Sequence, residues 1–400
     1  MPEAVVVSAV RTPIGRASKG TLKDMRADDL AAVAVRAAVE RVPNLDLSLI
    51  EDVILGCAMP EGEQGMNIAR IVVALAGLPY TVGGTTVNRF CASSLQAVNM
   101  AASAIMLGQG DVYVAGGIES MSRVPMGGFN PDFNPKLVRN PQGIEICGRP
   151  GTKNPGFDEV YIPMGMTAEN LAKRYKISRE EQDKFALRSH QRAIAATDKG
   201  IFQREIAQVS LPSGGVMEID DGPRRDTTLE KLAALEPVFV SKDKGGTVTA
   251  GNSSPLNDGA SAVVLMSAEK AKELGIKPLA RVLSMAVNGV EPDVMGIGPV
   301  GAVQKVLKRS NLKLSDIDLI ELNEAFAVQN LAVIQELGID QEKLNVHGGA
   351  IALGHPLGCS GARLVATLMN GLQTYDKTLG IATLCIGGGQ GLATVFERLD

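Results

Sequence analysis

The sequence predicts an α/β protein built from two similar halves. Strand-like runs alternate with helical stretches, the order of those runs recurs near the C-terminus, and two helices carry small or apolar residues nearly all the way round. In the first half, residues 4–10, 52–57, 85–90 and 111–115 read as strands, and 26–41 and 67–78 as helices. In the second half, 318–322 and 379–385 read as strands, and 325–337 and 359–372 as helices. Residues 47–55 superimpose on 314–322, and Cys91 then falls within one residue of the register of Cys359. Each of these cysteines is followed by small residues opening a helix without a polar face, the mark of a buried helix. One such helix per half would form a central layer between two sheets, with amphipathic helices outside, and would place Cys91 in the interior.

Between the halves the character changes. Residues 125–155 are rich in Pro, Gly and Asn, and Ser178-Arg179-Glu180-Glu181 forms a capping box opening a helix towards Lys199. The expected division is an N-terminal half over 1–121, a loop domain laid over the core at 122–249, completion of the first half at 250–271, and a C-terminal half at 272–400.

Composition narrows the function. A formal charge of -4 on 400 residues, with no basic stripe, argues against nucleic acid as a principal partner. No window approaches the roughly 20 apolar residues of a membrane helix, and the first residues lack the pattern of a signal peptide, so the expected location is cytoplasmic. The five cysteines are odd in number, dispersed and never paired as CxxC, which fits free thiols better than disulfides or structural zinc. Forty-four glycines and no tryptophan imply a close-packed aliphatic core.

The chemistry-bearing residues lie at strand ends. Cys91 closes the strand-like run 85–90 and opens a helix, where the N-terminal dipole favours a thiolate and backbone N–H groups can hold an oxyanion; a buried structural thiol fits the position equally. Of three histidines, His190 lies in a charged helical stretch and reads as a surface residue. His355, fixed before Pro356 in a glycine-rich segment, is the better base candidate, and His347 the better structural hydrogen-bonding residue. Cys385 ends a strand facing Gly387-Gly388-Gly389. That run is no dinucleotide fingerprint, because no helix and no later acid follow it; a tight turn with a buried Cys is the alternative. Asn323-Glu324 emerges at a strand end where α/β proteins place ligands, or is an ordinary helix cap.

Together, Val87-Asn88-Arg89-Phe90-Cys91-Ala92-Ser93-Ser94, Asn323-Glu324-Ala325-Phe326, Gly354-His355-Pro356 and Cys385-Ile386-Gly387-Gly388-Gly389 resemble the signature blocks of the thiolases. The likeness runs from Val5 to the C-terminal glycine loop. It implies paired βαβαβαββ halves in a five-layered α/β/α/β/α core, a loop domain that binds coenzyme A, and a homodimer or homotetramer. It implies Cys91 as nucleophile, His355 as its base, Cys385 as the acid for the acetyl-CoA enolate, and Asn323 as holder of a water at that enolate. The backbone N–H groups of Cys91 and Gly387 would form a second oxyanion hole. By the same resemblance Arg224 would lie beside the adenine nucleotide, Ser254 and Phe326 along the coenzyme A arm, and Met164 and Met295 along the acyl pocket. Read alone, Arg224 is equally a surface arginine and the methionines flexible core packing.

The implied reaction is coenzyme-A-dependent thiolysis of 3-ketoacyl-CoA, as in fatty-acid oxidation, with no permanently bound cofactor and with acyl-CoA and CoA as substrates. An enoyl-CoA hydratase/3-hydroxyacyl-CoA dehydrogenase is a possible partner. Pro163 stands where short-chain biosynthetic thiolases carry His, which favours the degradative type over an acetyl-CoA C-acetyltransferase specific for acetoacetyl-CoA. A ketoacyl synthase would not need Cys385, and a hydroxymethylglutaryl-CoA synthase would carry glutamate there. A non-catalytic CoA- or lipid-binding protein would have no use for the complete set.

Overall fold

Apolar side chains on both faces of the strands require cover on both faces. Val5 and Val7 of the first strand join one apolar cluster while Ala4 and Val6 join another, as period-two geometry dictates. In the computed structural model, which describes residues 2–138, 144–145, 153–154 and 159–399, the strands are β1 (Ala4–Arg11), β2 (Ile50–Gly56), β3 (Gly83–Val87), β4 (Val112–Ser120), β5 (Asn257–Ser267), β6 (Ala280–Gly289), β7 (Leu319–Leu322), β8 (Leu379–Ile386) and β9 (Gln390–Arg398). Their order is β7-β8-β9-β6-β1-β5-β4-β2-β3, with Gly15–Arg16 paired to β5.

The ladder has two units. β1 meets β6 through two residue pairs, Val5 with Arg281 and Val6 with Ala280. On one side β3, β2 and β4 are parallel, and β4, β5 and β1 antiparallel. On the other side β7 and β8 are parallel, and β8, β9 and β6 antiparallel. A parallel bridge from Ile320 to Leu344 stands where β3 stands in the first unit. The register repeat holds in detail, since Leu47–Leu49 and Leu314–Asp316 are both short 3-10 turns leading into β2 and β7.

The main helices are α1 (Ala27–Glu40), α2 (Ile68–Leu75), α3 (Ser93–Met106), α4 (Met164–Tyr175), α5 (Arg179–Asp198), α6 (Gly298–Ser310), α7 (Ala327–Leu337) and α8 (Leu357–Thr374). α1 and α2 cover the outer face of the first unit, and α6 and α7 that of the second. α3 and α8 pack on each other between the sheets, sharing a cluster with Ala115, Val263, Leu265, Ala382 and Leu384. Five layers result. In α8, Leu357 to Leu372 are all buried, each large apolar side chain contributing about 1.5–3 kcal/mol by its removal from water.

The boundaries differ in places. β3 ends at Val87, three residues short of the expected strand, because Asn88 and Ser93 side chains take over the backbone groups of the next turn. α8 starts at Leu357 on Pro356, earlier than expected. The capping box of Ser178 and Glu181 opens α5. Most of the 129–159 stretch, Cys147 included, lies outside the described residues.

Buried charge ties the 122–249 segment to the core. Arg11, at the end of β1 and fully buried, donates to Glu205 at 2.6 Å and to both Asp220 oxygens at 2.7 and 3.0 Å. Glu205 also accepts from Thr367 and Asn370 of α8. Arg11→Ala leaves two buried carboxylates without their cation, so we expect a loss of about 3–5 kcal/mol. Denaturant unfolding measures it, and a loss below about 1 kcal/mol would show that water replaces the guanidinium there.

Candidate active site

Cys91 sits in a 3-10 turn, Phe90–Ala92, between β3 and α3. The residue before it, Phe90, has φ of 44°, a conformation that costs a non-glycine residue of the order of 1–2 kcal/mol. Side chains hold it there. The Asn88 carboxamide accepts from Phe90 N–H at 2.8 Å, and the Ser93 hydroxyl accepts from Arg89 N–H while donating to Phe90 C=O at 2.6 Å. Arg89 reaches Gln96 and Gln390, so the turn is anchored to α3 and to the start of β9.

β8 ends with Cys385-Ile386 and returns into β9 through Gly387-Gly388-Gly389, with Ile386 opposite Gln390. Gly388 and Gly389 have φ of 76° and 84°, so the glycine run is a hairpin connection, as the rejection of a nucleotide loop requires. It carries the Gly387 N–H to the Cys91 sulfur, to which the Cys91 N–H also points. Cys385 is completely buried and is an electrostatic neighbour of Cys91.

His355 follows Gly354, whose φ of 115° and close approach to Asn257 leave no room for a side chain. Asn257 accepts the His355 N–H at 2.9 Å. Ser360 Oγ lies 2.6 Å from Nδ1, and Asn323 Nδ2 lies 3.2 Å from Nε2 and 3.5 Å from Nδ1. Ser360 donates to Pro356 C=O at 2.9 Å, so its oxygen is free to accept from Nδ1–H. That arrangement leaves Nε2 as the basic nitrogen. The start of α8, the end of β8 and the Cys91 turn pack together. Buried Glu119 braces the junction by accepting from Ala58, Met59 and Gly358 N–H groups and from Gln64.

Burial governs the titrations. It pushes the Cys91 thiol up to about 12 against the opposing N–H groups of Gly387 and Cys91, which corrects the expectation of a depressed pKa. The helix-terminus effect is real but local, and desolvation of the charged form exceeds it. Burial, with Cys91 adding to it, also pushes Cys385 up. Burial and then the Arg363 guanidinium lower His355 to about 3. At neutral pH the resting site thus holds two protonated thiols and a neutral imidazole.

The substrate-side candidates divide into two groups. Met295, Phe326 and Cys385 share one apolar cluster with Ala168, Leu171 and Val248, and Met164 packs against it. A Cβ on Gly387 would lie 3.4 Å from Met164 Sδ. Ser254 donates from N–H and Oγ to Ala325 C=O, at 3.0 and 3.1 Å, placing it beside Phe326. Arg224 is exposed, near Arg16 and His190.

Two histidine expectations need correction. His190 is buried, not at the surface, and its Nδ1 accepts from Arg224 N–H at 3.2 Å, since the face of α5 that carries it packs under the 222–224 segment. Burial, then Arg224 and Arg16, lower it to about 4. His347 is buried, but it stacks on Tyr375 and meets Phe202 edge-on, with no protein hydrogen bond to its ring nitrogens among the described residues. Ser360, Glu119 and Arg363 were not anticipated as site residues. A signal existed for Arg363, the lone charge in a helix whose other residues call for burial.

A thiolase N-terminal domain model matches residues 4–269, and a thiolase C-terminal domain model matches 276–398. A 3-ketoacyl-CoA thiolase of Shewanella loihica is 50% identical over 405 residues, covering 100% of each chain. The dimeric peroxisomal thiolase of Saccharomyces cerevisiae superimposes with a TM-score of 0.90 at 39% identity, covering 99% of this chain and 98% of that one. An acetyl-CoA acetyltransferase of Bacillus anthracis does so with a TM-score of 0.87 at 41% identity, covering 100% of this chain and 99% of that one.

Proposed function

The chain belongs to the thiolase family, and from that premise and the site geometry we propose that it cleaves 3-ketoacyl-CoA by coenzyme A thiolysis through an acyl-Cys91 intermediate. The observation that carries this reading is the pair of buried thiols: Cys91 faces the N–H groups of Gly387 and Cys91, and Cys385 is its electrostatic neighbour.

Cys91 Sγ attacks the 3-keto carbon as its proton passes to His355 Nε2, and the tetrahedral oxyanion takes the two backbone N–H bonds. The C2–C3 bond breaks, and its electron pair leaves as the acetyl-CoA enolate. Imidazolium His355 and a water held by Asn323 stabilise the enolate oxygen. The Cys385 thiol gives its proton to the enolate carbon. Coenzyme A then attacks acyl-Cys91, its thiol proton passing to the Cys385 thiolate, and the Cys91 sulfur recovers its proton from His355. Each group begins in the protonation state that its first step needs, a protonated thiol and a neutral imidazole.

Coenzyme A is read as lying along Ser254 and Phe326 with its nucleotide at Arg224, and the acyl chain along Met164 and Met295, under the 122–249 loop domain. The protein is read as a cytoplasmic homodimer or homotetramer, with coenzyme A as substrate and no permanent cofactor. No described helix is long and apolar enough to cross a membrane. Thiolysis of 3-ketoacyl-CoA substrates from acetoacetyl-CoA to a long-chain member tests the degradative assignment. Activity rising beyond acetoacetyl-CoA is expected; activity confined to it would make the enzyme an acetyl-CoA C-acetyltransferase.

A further inference from the structure

Ser360, Arg363, Thr367 and Asn370 form a polar stripe along one face of α8, although the helix is buried on all sides. Thr367 and Asn370 meet Glu205, and Ser360 meets His355. Arg363 remains. Its side chain is fully buried, its Nη2 lies 3.4 Å from Asn323 Oδ1, and its Nη1 lies 3.5 Å from Glu321 Oε2, also buried. Nε and Nη1 make no hydrogen bond among the described residues. A buried guanidinium so sparsely paired is costly.

The geometry points to Arg363 as a positioning residue for carbon–carbon cleavage, acting through Asn323. The guanidinium is donor-only, so it selects the carboxamide orientation that turns Oδ1 towards α8 and Nδ2 towards His355. The opposite orientation would set Nδ2 against Arg363 and turn an acceptor, not a donor, towards the water that Asn323 holds at the enolate. The other anchors on Asn323, its N–H to Thr383 C=O at 3.0 Å and a bond from Asn330 Nδ2 to its backbone C=O at 3.1 Å, fix the main chain but not the amide. Glu321 and Asn323 are successive inward residues at the end of β7, so one arginine reads both.

This inference rests on the assignment of Asn323 and His355 made above, and a double-mutant comparison separates the two. Thiolysis of acetoacetyl-CoA and acetylation of Cys91 by acetyl-CoA, followed by mass, are measured for Arg363→Lys, Asn323→Ala and the pair. Lysine keeps the charge but lacks the planar fork. Arg363→Lys is expected to lower the cleavage kcat by about 10–100-fold, to leave Cys91 acetylation within about threefold, and to add nothing in the Asn323→Ala background. Fully additive losses, or equal loss of cleavage and acetylation, would overturn the role of Arg363. Unimpaired cleavage in Asn323→Ala would instead overturn the site assignment. Should Arg363→Lys not fold, Arg363→Gln with Glu321→Gln removes both members of the ion pair and carries the same comparison.

Discussion

Cys91→Ala is expected to lower thiolysis by about 10⁴-fold or more, since it removes the atom that in the proposed mechanism holds the acyl group between the two half-reactions. Mass spectrometry after incubation with acetyl-CoA should show an acetyl adduct on the unsubstituted protein and none on the variant. An adduct retained by Cys91→Ala would place the nucleophile elsewhere. The protonation state adds a second check. With the thiol held up to about 12 by burial, alkylation of Cys91 in the unliganded enzyme should rise about tenfold per pH unit from about pH 6 to about pH 9, with no plateau. The direction follows from the shift: a raised pKa leaves the thiolate a minor species throughout that window. A plateau near neutrality would mean that the N–H groups of Gly387 and Cys91 outweigh desolvation, and that the resting nucleophile is a thiolate.

Much of the fold was legible because it is periodic. The two faces of β1 and the repeated turn-strand unit at Leu47–Leu49 and Leu314–Asp316 follow from local spacing, and the absence of an exposed face on α8 follows from its composition. Position along the chain also marked Cys91, His355 and Cys385 as candidates, because strand ends and glycine turns are where backbone geometry exposes chemistry. What escaped was set by contacts distant in sequence. His190 looked superficial among charged neighbours, yet burial is decided by which face of α5 lies under the 222–224 segment. The thiol's electrostatics were misjudged for the same reason: a helix N-terminus is visible in sequence, whereas the desolvation produced by β8 and α8 closing round it is not. Arg363 could have been flagged as a lone buried charge, but its partners Glu321 and Asn323 lie on another strand.

Cys385→Ser separates the two thiols. In the proposed cleavage Cys385 delivers a proton to carbon, and a hydroxyl is a weaker acid than a thiol. We expect thiolysis of acetoacetyl-CoA to fall by about 10²–10⁴-fold, the range of a positioned general acid. Transfer of an acetyl group from acetyl-CoA to Cys91 expels a thiolate, a far better leaving group than an enolate, so it needs less help from an acid and should fall by less than about tenfold. Because Cys385 is completely buried beside Ala168, Val294 and Phe326, the new hydroxyl also costs stability, about 1–3 kcal/mol if it finds no partner. Rapid-quench mass measurement of Cys91 acetylation, alongside steady-state thiolysis and a melting curve, distinguishes these effects. A folded variant that acetylates at near the original rate but does not cleave would fix Cys385 as the enolate's acid. Equal loss of both half-reactions would mean that Cys385 supports the site as a whole, and the proton would then have to come from His355, the other group at the enolate.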